Sequence, residues 1–333
     1  MLCEFVKDAD DREICPACGI FKPDTNGLVF SRRCSPVDVF GAPRKWGCDP
    51  VSVTRIALPD RCHNACIFDD SGKMRLCWRS GWVGASLHIG DLSPSLVDVY
   101  GERLPLKTKA SRYGQEDPRV VKLGGQRCIG FAGIAKRGEV TRISQLLAVM
   151  DDDCKKPLGI IQPKYEKAEQ IEKNWGWFDY EWQPHCVYTV RPHRILKLVG
   201  DIAIPVAESP WRPRWTGGWL RGGASPVRVG GEYWAFFHGV LRNKGPKPAF
   251  RTYSCGLYTF EARPPFRPLR YMPEPLIWPP KHGRPKKLNS DVVFPCGAVL
   301  RGGRWLVSYG VHDSWIEIAE FRHSDLERKL VRA

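Results

Sequence analysis

Five segments of this chain follow one pattern, and this repetition constrains the fold more than any other sequence feature. Each segment begins with a small or polar residue, enters an apolar strand, and continues into an aromatic-rich strand. In four of the five, a glycine-containing turn separates the two strands, which suits the positive φ of a tight hairpin. The segments are HNACIFDDSGKMRLCWRSGW, EDPRVVKLGGQRCIGFAGI, KNWGWFDYEWQPHCVYTVRPH, GASPVRVGGEYWAFFHGV and FPCGAVLRGGRWLVSYGVHD.

The spacing of these repeats predicts the size of each structural unit. The equivalent starting positions are Asn64, Asp117, Asn174, Ser225 and Cys296. Successive intervals are 53, 57, 51 and 71 residues, which suits the four-stranded blades of a propeller. We therefore expect an all-β, five-bladed β-propeller over residues 50–333, preceded by a small Cys-rich segment over residues 1–49. Two packed β-sandwiches would not explain five repeats.

One repeat begins with GQEDPRVVKLGG, in which Asp117 lies between Glu116 and Pro118. The first strand of each blade lines the channel of a propeller, so the starting residues should meet at one mouth of the channel. Proline fixes its own φ and biases the preceding residue toward an extended conformation. We expect Asp117 to face the channel and Glu116 to point away, because side chains alternate along a strand. A simple turn is the alternative interpretation.

The composition agrees with a mainly β protein. The chain has 333 residues, of which 43% are hydrophobic, with 13 Trp, 32 Gly and 28 Pro. This favours short strands joined by tight turns over long helices. The N-terminus lacks the pattern of a secretory signal, and no apolar run approaches the length of a membrane span. A soluble cytoplasmic protein is therefore the simplest expectation.

The formal net charge is +15, and much of it lies in one Pro-rich segment. Residues 242–287 contain 11 Lys or Arg and 2 Glu, and the long last interval indicates that they form an insertion within or after the fourth blade. A solvated loop surface and a rim that attracts an anionic substrate are both compatible with this charge. No helix-turn-helix, RNA-recognition or homeodomain pattern accompanies it, so nucleic acid is not the expected partner.

Thirteen cysteines in a chain without a secretory signal suggest metal binding rather than disulfides. The spacing C-x11-C-x2-C-x15-C, with two thiolates on one turn, suits tetrahedral zinc. The expected ligands of this structural zinc ion are Cys3, Cys15, Cys18 and Cys34. Free cysteines in a loosely ordered segment are the alternative, and Cys48 could compete as the fourth ligand. The scattered cysteines behave as small buried hydrophobes.

Four short motifs resemble the five-bladed mannoside phosphorylases and related hydrolases of glycoside hydrolase family 130. They are EDPRV at 116–120, KNW at 173–175, FFHG at 236–239 and YGVHD at 309–313. Their order and blade positions agree with the family over residues 62–321. The resemblance implies an inverting enzyme acting on β-mannosides or similar sugars, whose single acid protonates the glycosidic oxygen through a hydroxyl of the bound sugar. Asp117 matches that acid.

The resemblance also implies binding residues for a glycoside or oligosaccharide and for phosphate. The expected substrate-binding residues are Asn64, Arg79, Lys173, Asn174 and Asp313. The expected phosphate-binding residues are Arg119, Arg228 and His238. Phosphorolysis needs only one acid because phosphate is itself the nucleophile, and a cluster of cations must then hold it. Inorganic phosphate is accordingly the expected co-substrate.

Several alternatives stay open from the sequence. Trp175, Trp177 and Trp182 could form sugar-stacking platforms or belong to the core, and we favour the core. Phosphorolysis, hydrolysis and mannosyl transfer share their chemistry and differ in the acceptor. A non-catalytic carbohydrate-binding propeller is a second function class, and a zinc protein whose basic surface binds a polyanion is a third. The sugar, its linkage and the oligomeric state are left open.

Overall fold

The structure is a computed structural model that describes residues 46–333, except residues 60, 138–139, 243–249 and 286–287. It also describes two short N-terminal strands that pair antiparallel, β1 (Val6–Lys7) and β2 (Glu13–Ile14). The predicted zinc ligands Cys3, Cys15, Cys18 and Cys34 lie outside the described residues. No helix within the described residues is both long and apolar enough to cross a membrane.

The first three repeats each form a four-stranded antiparallel sheet, in which strands pair in chain order. Strand β3 (Ser52–Arg55) comes before these three sheets in the chain, but it pairs with a strand of the last sheet. The first sheet contains β4 (Cys62–Asp70), β5 (Lys73–Ser80), β6 (Ser86–Leu92) and β7 (Val99–Arg103). After a 3-10 turn at Lys109–Ser111, the second contains β8 (Gly114–Leu123), β9 (Gln126–Arg137), β10 (Val140–Met150) and β11 (Pro157–Ile161). The third contains β12 (Gly176–Tyr180), β13 (Gln183–Thr189), β14 (His193–Val199) and β15 (Ile202–Ser209).

The C-terminal third of the chain forms the last two large sheets. Six strands of the first of these are β16 (Trp219–Arg221), β17 (Val227–Val229), β18 (Glu232–Arg242), β19 (Arg251–Glu261), β20 (Pro268–Tyr271) and β21 (Ser290–Asp291). The last sheet contains β22 (Val293–Arg301), β23 (Arg304–Val311) and β24 (Trp315–Arg322), closed by β3. Helix α1 (His323–Lys329) and β25 (Val331–Arg332) follow, and β25 pairs with β20 as the seventh strand of the preceding sheet.

The expectation of five regular four-stranded blades needs a correction, because four sheets have four strands and one has seven. Strands β16 and β17 both pair with β18, and the stretch GGASP between them interrupts the edge. The prediction that residues 242–287 form an insertion is also wrong for their described part. Strand β19 lies in that segment and pairs with β18 from Arg242↔Arg251 to Glu232↔Glu261. The basic segment therefore supplies strands of the sheet itself.

The sheets have a propeller-like arrangement around their first strands. Strand β4 contacts both β8 and β22, and β8 also contacts β12. These first strands are buried along most of their length, whereas outer strands such as β7 and β15 are largely exposed. The pairing of β3 with β24, from Arg55↔Glu317 to Ser52↔Glu320, covers the outer edge of the last sheet with a strand from the N-terminal side.

Apolar side chains fill the spaces between the sheets. Trp175 and Trp177 are almost fully buried and pack with residues of the second and third sheets, so the prediction that they belong to the core is confirmed. Trp182 differs, because 78% of its surface is exposed. Cys48 is buried in the core near the C-terminus, and Trp46 packs on Phe321 with ring centroids 6.2 Å apart. The division of the chain at residue 50 stays a prediction.

Candidate active site

Three of the predicted repeat starts share an unusual backbone conformation. Asn64, Asp117 and Asn174 have φ angles of 49°, 54° and 68°. This left-handed region is uncommon for residues other than glycine, although Asn and Asp adopt it more readily than most. Asp313, another predicted site residue, has a φ of 50°. Such outliers, here within or next to strands of four sheets, are typical of functional sites, where surrounding contacts must hold the backbone in place.

The unusual φ of Asp117 accompanies a β-bulge in β8. The pairing of β8 with β9 shifts between Glu116 and Arg119, and the corresponding pairing in the first sheet shifts just after His63. A bulge breaks the alternation of side chains along a strand. The expectation that Pro118 holds Asp117 extended is therefore wrong. The expectation that Glu116 and Asp117 face opposite ways is also wrong, since both approach the same arginine.

That arginine is Arg79, near the end of β5. Its Nη2 lies 2.7 Å from Oε1 of Glu116, and its Nη1 lies 3.7 Å from Oδ1 of Asp117. The guanidinium also donates to the carbonyls of Gly81 and Trp82, each at 3.2 Å. Arg79, Glu116 and Asp117 are each no more than 9% exposed. One buried cation is thus shared by two neighbouring carboxylates.

The amide of Asn64 completes the surroundings of Asp117. Its Nδ2 donates to Oδ1 of Asp117 at 2.7 Å. The first and second sheets are therefore joined by a hydrogen bond between residues at equivalent positions of their repeats. This confirms the expectation that Asn64 and Asp117 converge.

Arg119 connects the second sheet to the third and fourth. Its guanidinium is fully buried and donates to the backbone carbonyl of Asp117 at 2.7 Å and to Oδ1 of Asn174 at 3.3 Å. Its Nε also donates to the carbonyl of Gly223. These bonds hold the predicted repeat starts Asp117 and Asn174 close together. Arg119 was expected to bind phosphate, and in this structure its donors face protein acceptors.

Burial and neighbouring charges separate the pKa values of Asp117 and Glu116. Burial alone would raise the pKa of Asp117, but the charges of Lys173, Arg79 and Arg119 outweigh it and the pKa is lowered. Burial raises the pKa of Glu116, and the charge of Asp117 adds to this rise despite the opposing charge of Arg79. Neighbouring carboxyls with separated pKa values can divide the roles of proton holder and ionised partner.

Asp313 and Lys173 belong to the same electrostatic cluster. Burial and the charge of Asp117 raise the pKa of Asp313, against the effect of Arg79 and Lys173. Lys173 is half-buried and affects the pKa of all three carboxyls, yet it forms no contact ion pair with any residue that the structure describes.

His238 lies on β18 beside this cluster. Its Nδ1 donates to the carbonyl of Gly222 at 2.5 Å, and its ring packs on Phe294 with centroids 4.6 Å apart. Burial lowers the pKa of His238 to about 3, and the charges of neighbouring cations, including Arg119 and Lys173, contribute. The imidazole is therefore neutral near pH 7. Since Nδ1 carries the proton, Nε2 is a hydrogen-bond acceptor, and the expected role of His238 in phosphate binding stays a prediction.

Arg228 is the expected phosphate ligand that the described contacts do not bring to this cluster. It is exposed on β17, and its Nε donates to the carbonyl of Gly230 at 3.4 Å. Its positive charge contributes to the pKa of Tyr180 and Tyr233, which lie on the side of the third sheet. Its role in phosphate binding stays a prediction.

Three features of this site were missed from the sequence. Glu116 was assigned to the opposite face of β8. Trp82 was not singled out, although its indole Nε1 donates to the carbonyl of Asp313 at 2.6 Å and 40% of its surface is exposed. His63 is fully buried, and its Nε2 has no hydrogen-bond partner in the structure. Only Trp82 carried a signal, since an aromatic residue follows the predicted sugar ligand Arg79 by three positions.

The described residues contain no group of three or more His, Cys, Asp or Glu side chains placed to hold a metal ion. The cluster itself combines acidic and basic side chains. The pKa values of Glu116 and Asp313 are raised, whereas that of Asp117 is lowered. Arg79 and Lys173 supply positive charge to all three carboxyls. The exposed part of Trp82 offers an apolar face suited to the CH groups of a pyranose ring.

Comparisons with known proteins place this arrangement in a structural context. No family model matches the sequence, and no curated protein matches it. Solved structures do match. One belongs to work on the GH130 family of mannoside phosphorylases, which contains glycoside hydrolases that target β-1,2-mannosidic linkages in Candida mannan. It has a TM-score of 0.58 at 15% identity, with 80% of this chain and 85% of that chain covered.

Two further matches are proteins from Leishmania mexicana. A mannose phosphorylase in complex with a phosphate ion has a TM-score of 0.58 at 14% identity, with 86% of this chain and 92% of that chain covered. A GDP-Man-dependent mannosyltransferase has a TM-score of 0.54 at 13% identity, with 81% and 89% covered. At such identities the likeness concerns the fold. This chain has the fold of GH130-family glycoside hydrolases and mannoside phosphorylases.

Proposed function

We propose that this protein is a glycan-processing enzyme that cleaves β-mannoside-like bonds by inverting phosphorolysis, with Asp117 as the single general acid. The observation that carries the proposal is the buried cluster around Asp117, built where the first strands of the sheets converge. The structural neighbours support it, because they include a mannose phosphorylase with a bound phosphate ion and glycoside hydrolases for mannosidic linkages. Hydrolysis and mannosyl transfer would use the same cluster with another acceptor.

In this proposal Asp117 supplies the proton that the leaving oxygen needs. Its lowered pKa means that the free protein holds it ionised, so ligand binding must raise the pKa before the acid can act. A phosphate dianion near Lys173 would do this in two ways. It would neutralise the cation that contributes most to lowering the pKa of Asp117, and it would place a like charge near the carboxyl.

The other residues of the cluster hold and orient the substrates. Lys173 lacks a contact ion pair among the described residues, so it is free to bind the phosphate nucleophile. Arg79 holds Glu116 and Asp117 in place, and Asn64 fixes the carboxyl orientation of Asp117. Asp313 is suited to accept hydrogen bonds from sugar hydroxyls. Because phosphate carries its own charge, no second carboxylate is required to activate a water molecule.

We also infer that the seven-stranded sheet is a fifth blade of the propeller. Strands β16 and β17 pair with the same neighbour, β18, and together can occupy the position of one interrupted first strand. Strands β18, β19 and β20 then supply the other three strands of the blade. Strands β21 and β25 are additions at its margins.

A second candidate function is a carbohydrate-binding propeller without catalysis. The observation that favours it is the lowered pKa of Asp117, which leaves this acid without its proton in the free protein. Both candidates predict sugar binding, and only the first predicts turnover. Incubation with a panel of manno-oligosaccharides, with and without inorganic phosphate, separates them. Phosphate-dependent release of a sugar 1-phosphate supports the enzyme, whereas binding without any product supports the binding protein.

A further inference from the structure

A basic groove lies beside the candidate active site, between the first and second sheets. Its volume is about 470 Å³, which is within the range of small-molecule sites. Among the described residues that line it, three have cationic side chains and none is Asp or Glu. These cations are Arg103, Lys107 and Arg112. All three are exposed, and none forms a contact ion pair with a described residue.

The backbone that carries these cations is held in place by packing and hydrogen bonds. Leu104 and Leu106, which precede Lys107, are at most 2% exposed. The hydroxyl of Ser111 donates to the carbonyl of Leu106 at 3.3 Å and accepts the backbone N–H of Thr108 at 2.8 Å. The charges are therefore presented from a fixed turn. Fixed donors lose less conformational entropy on binding an anion than donors on a mobile loop would lose.

An aromatic ring accompanies the cations. Tyr113 lines the groove and is 45% exposed, with the guanidinium of Arg112 at 6.0 Å and the ammonium of Lys136 at 5.8 Å from its ring centroid. An exposed ring beside cations suits a ligand with both an apolar face and a negative charge. A sugar that carries a phosphate has both features.

The groove borders the candidate active site along strand β8. Gly114 and Gln115 line it and directly precede Glu116 and Asp117 in β8. On its other side the lining begins at Val83, the residue after Trp82. Gly114 and Asp117 are separated by at most about 10 Å, the length that three residues of fully extended strand would span. One extended ligand can therefore reach from the Asp117 cluster into the groove.

We propose that the basic groove binds a phosphoryl group carried by the glycan substrate or donor, separate from the phosphate nucleophile proposed at Lys173. The part of the inference that concerns a glycan rests on the proposed function. The part that concerns the phosphoryl group rests on three cations that form no contact ion pair with a described residue, and on a lining in which the described residues include no acid. The phosphoryl group can come from a phosphorylated sugar or from a nucleoside diphosphate, since the cations would recognise either through its oxygens.

Isothermal titration calorimetry on the full chain tests this site without requiring turnover. The probes are mannose, mannose 6-phosphate, inorganic phosphate and GDP. The test variant is Lys107→Glu. Lys109→Glu is its matched control, because Lys109 is exposed in the same turn and does not line the groove. Equal thermal unfolding midpoints of the two variants would show that neither disturbs the fold.

Mannose 6-phosphate or GDP should bind at least tenfold more tightly than mannose, and whichever binds more tightly identifies the source of the phosphoryl group. Lys107→Glu should weaken that binding at least tenfold, with less than a twofold change in Lys109→Glu. Equal loss in both variants, or phosphorylated probes that bind no better than mannose, would overturn the proposal. Binding that Lys107→Glu weakens, without any glycan turnover, would support the phosphoryl site in the groove and contradict the proposed function.

Discussion

Replacing Arg79 with methionine should expose the electrostatic design of the site more clearly than any other single change. The substitution keeps an unbranched apolar side chain but removes the charge shared by Glu116 at 2.7 Å and Asp117 at 3.7 Å. At an effective dielectric constant near 20, these separations correspond to gross attractions of about 6 and about 4.5 kcal/mol. Desolvation offsets much of this sum, and breaking a buried pair typically costs about 3–5 kcal/mol. We expect a loss of that size at pH 7.

The pH dependence of this loss carries the stronger test. Without Arg79, the folded-state pKa values of both carboxyls rise above their values in the wild-type protein. An acid whose pKa is higher in the folded than in the unfolded state destabilises the fold at pH values above the folded-state pKa. This destabilisation is lost as the pH falls through that pKa. The variant should therefore recover stability relative to wild type as pH falls from 7 toward 4. Urea unfolding at several pH values measures the difference.

Arg328→Met is the matched control, because Arg328 forms an exposed ion pair with Asp325 at 2.6 Å. Such surface pairs contribute at most about 1 kcal/mol. Adding Glu116→Gln to Arg79→Met should restore part of the lost stability, since it removes one of the uncompensated charges. A cost below about 1 kcal/mol for Arg79→Met, or a cost independent of pH, would refute the shared-cation account.

The remaining predictions concern substrate binding under the proposed function. Trp82→Ala should raise KM for oligosaccharides several-fold with little change in kcat, and Trp182→Ala, which removes a more exposed indole, should change neither. Lys173→Ala should raise KM for phosphate at least tenfold, and the same assay on Arg228→Ala decides whether that exposed arginine belongs to the anion site. Glu116→Gln should lower kcat, because Glu116 shares Arg79 with Asp117. Full activity in Glu116→Gln would show that the pair is not coupled.

The repeated sheets could be predicted from the sequence because their signal is local. Apolar strands and glycine turns such as LGG at 123–125 specify a hairpin within a short stretch of chain. The convergence of Asn64 and Asp117 followed from the same repeats. The fourth repeat was harder, because the stretch GGASP at 222–226 divides its first strand into β16 and β17. The many prolines and positive charges of residues 242–287 then favoured an insertion, although strand β19 lies within that segment.

The contacts within the site could not be predicted in the same way, because they depend on backbone conformation and on distant partners. Ideal alternation placed Glu116 and Asp117 on opposite faces of β8, and the bulge with positive φ at Asp117 cancels that rule. The partner of Glu116 is Arg79, which comes from another sheet. No local pattern in either strand specifies this contact. The position of Trp82 beside Asp313 likewise appears only from its hydrogen bond to the backbone carbonyl of Asp313.

The most direct test of the central claim is the formation of sugar 1-phosphate by wild-type protein and by Asp117→Asn. Inversion at a β-mannosidic bond should yield the α-anomer, which NMR identifies, and the product should appear only when inorganic phosphate is present. General acid catalysis is typically worth about 10² to 10⁴ in rate. Asp117→Asn should therefore lose at least about 100-fold in kcat while still binding the oligosaccharide. Turnover at the wild-type rate in Asp117→Asn, or product formation independent of phosphate, would contradict phosphorolysis with Asp117 as its acid.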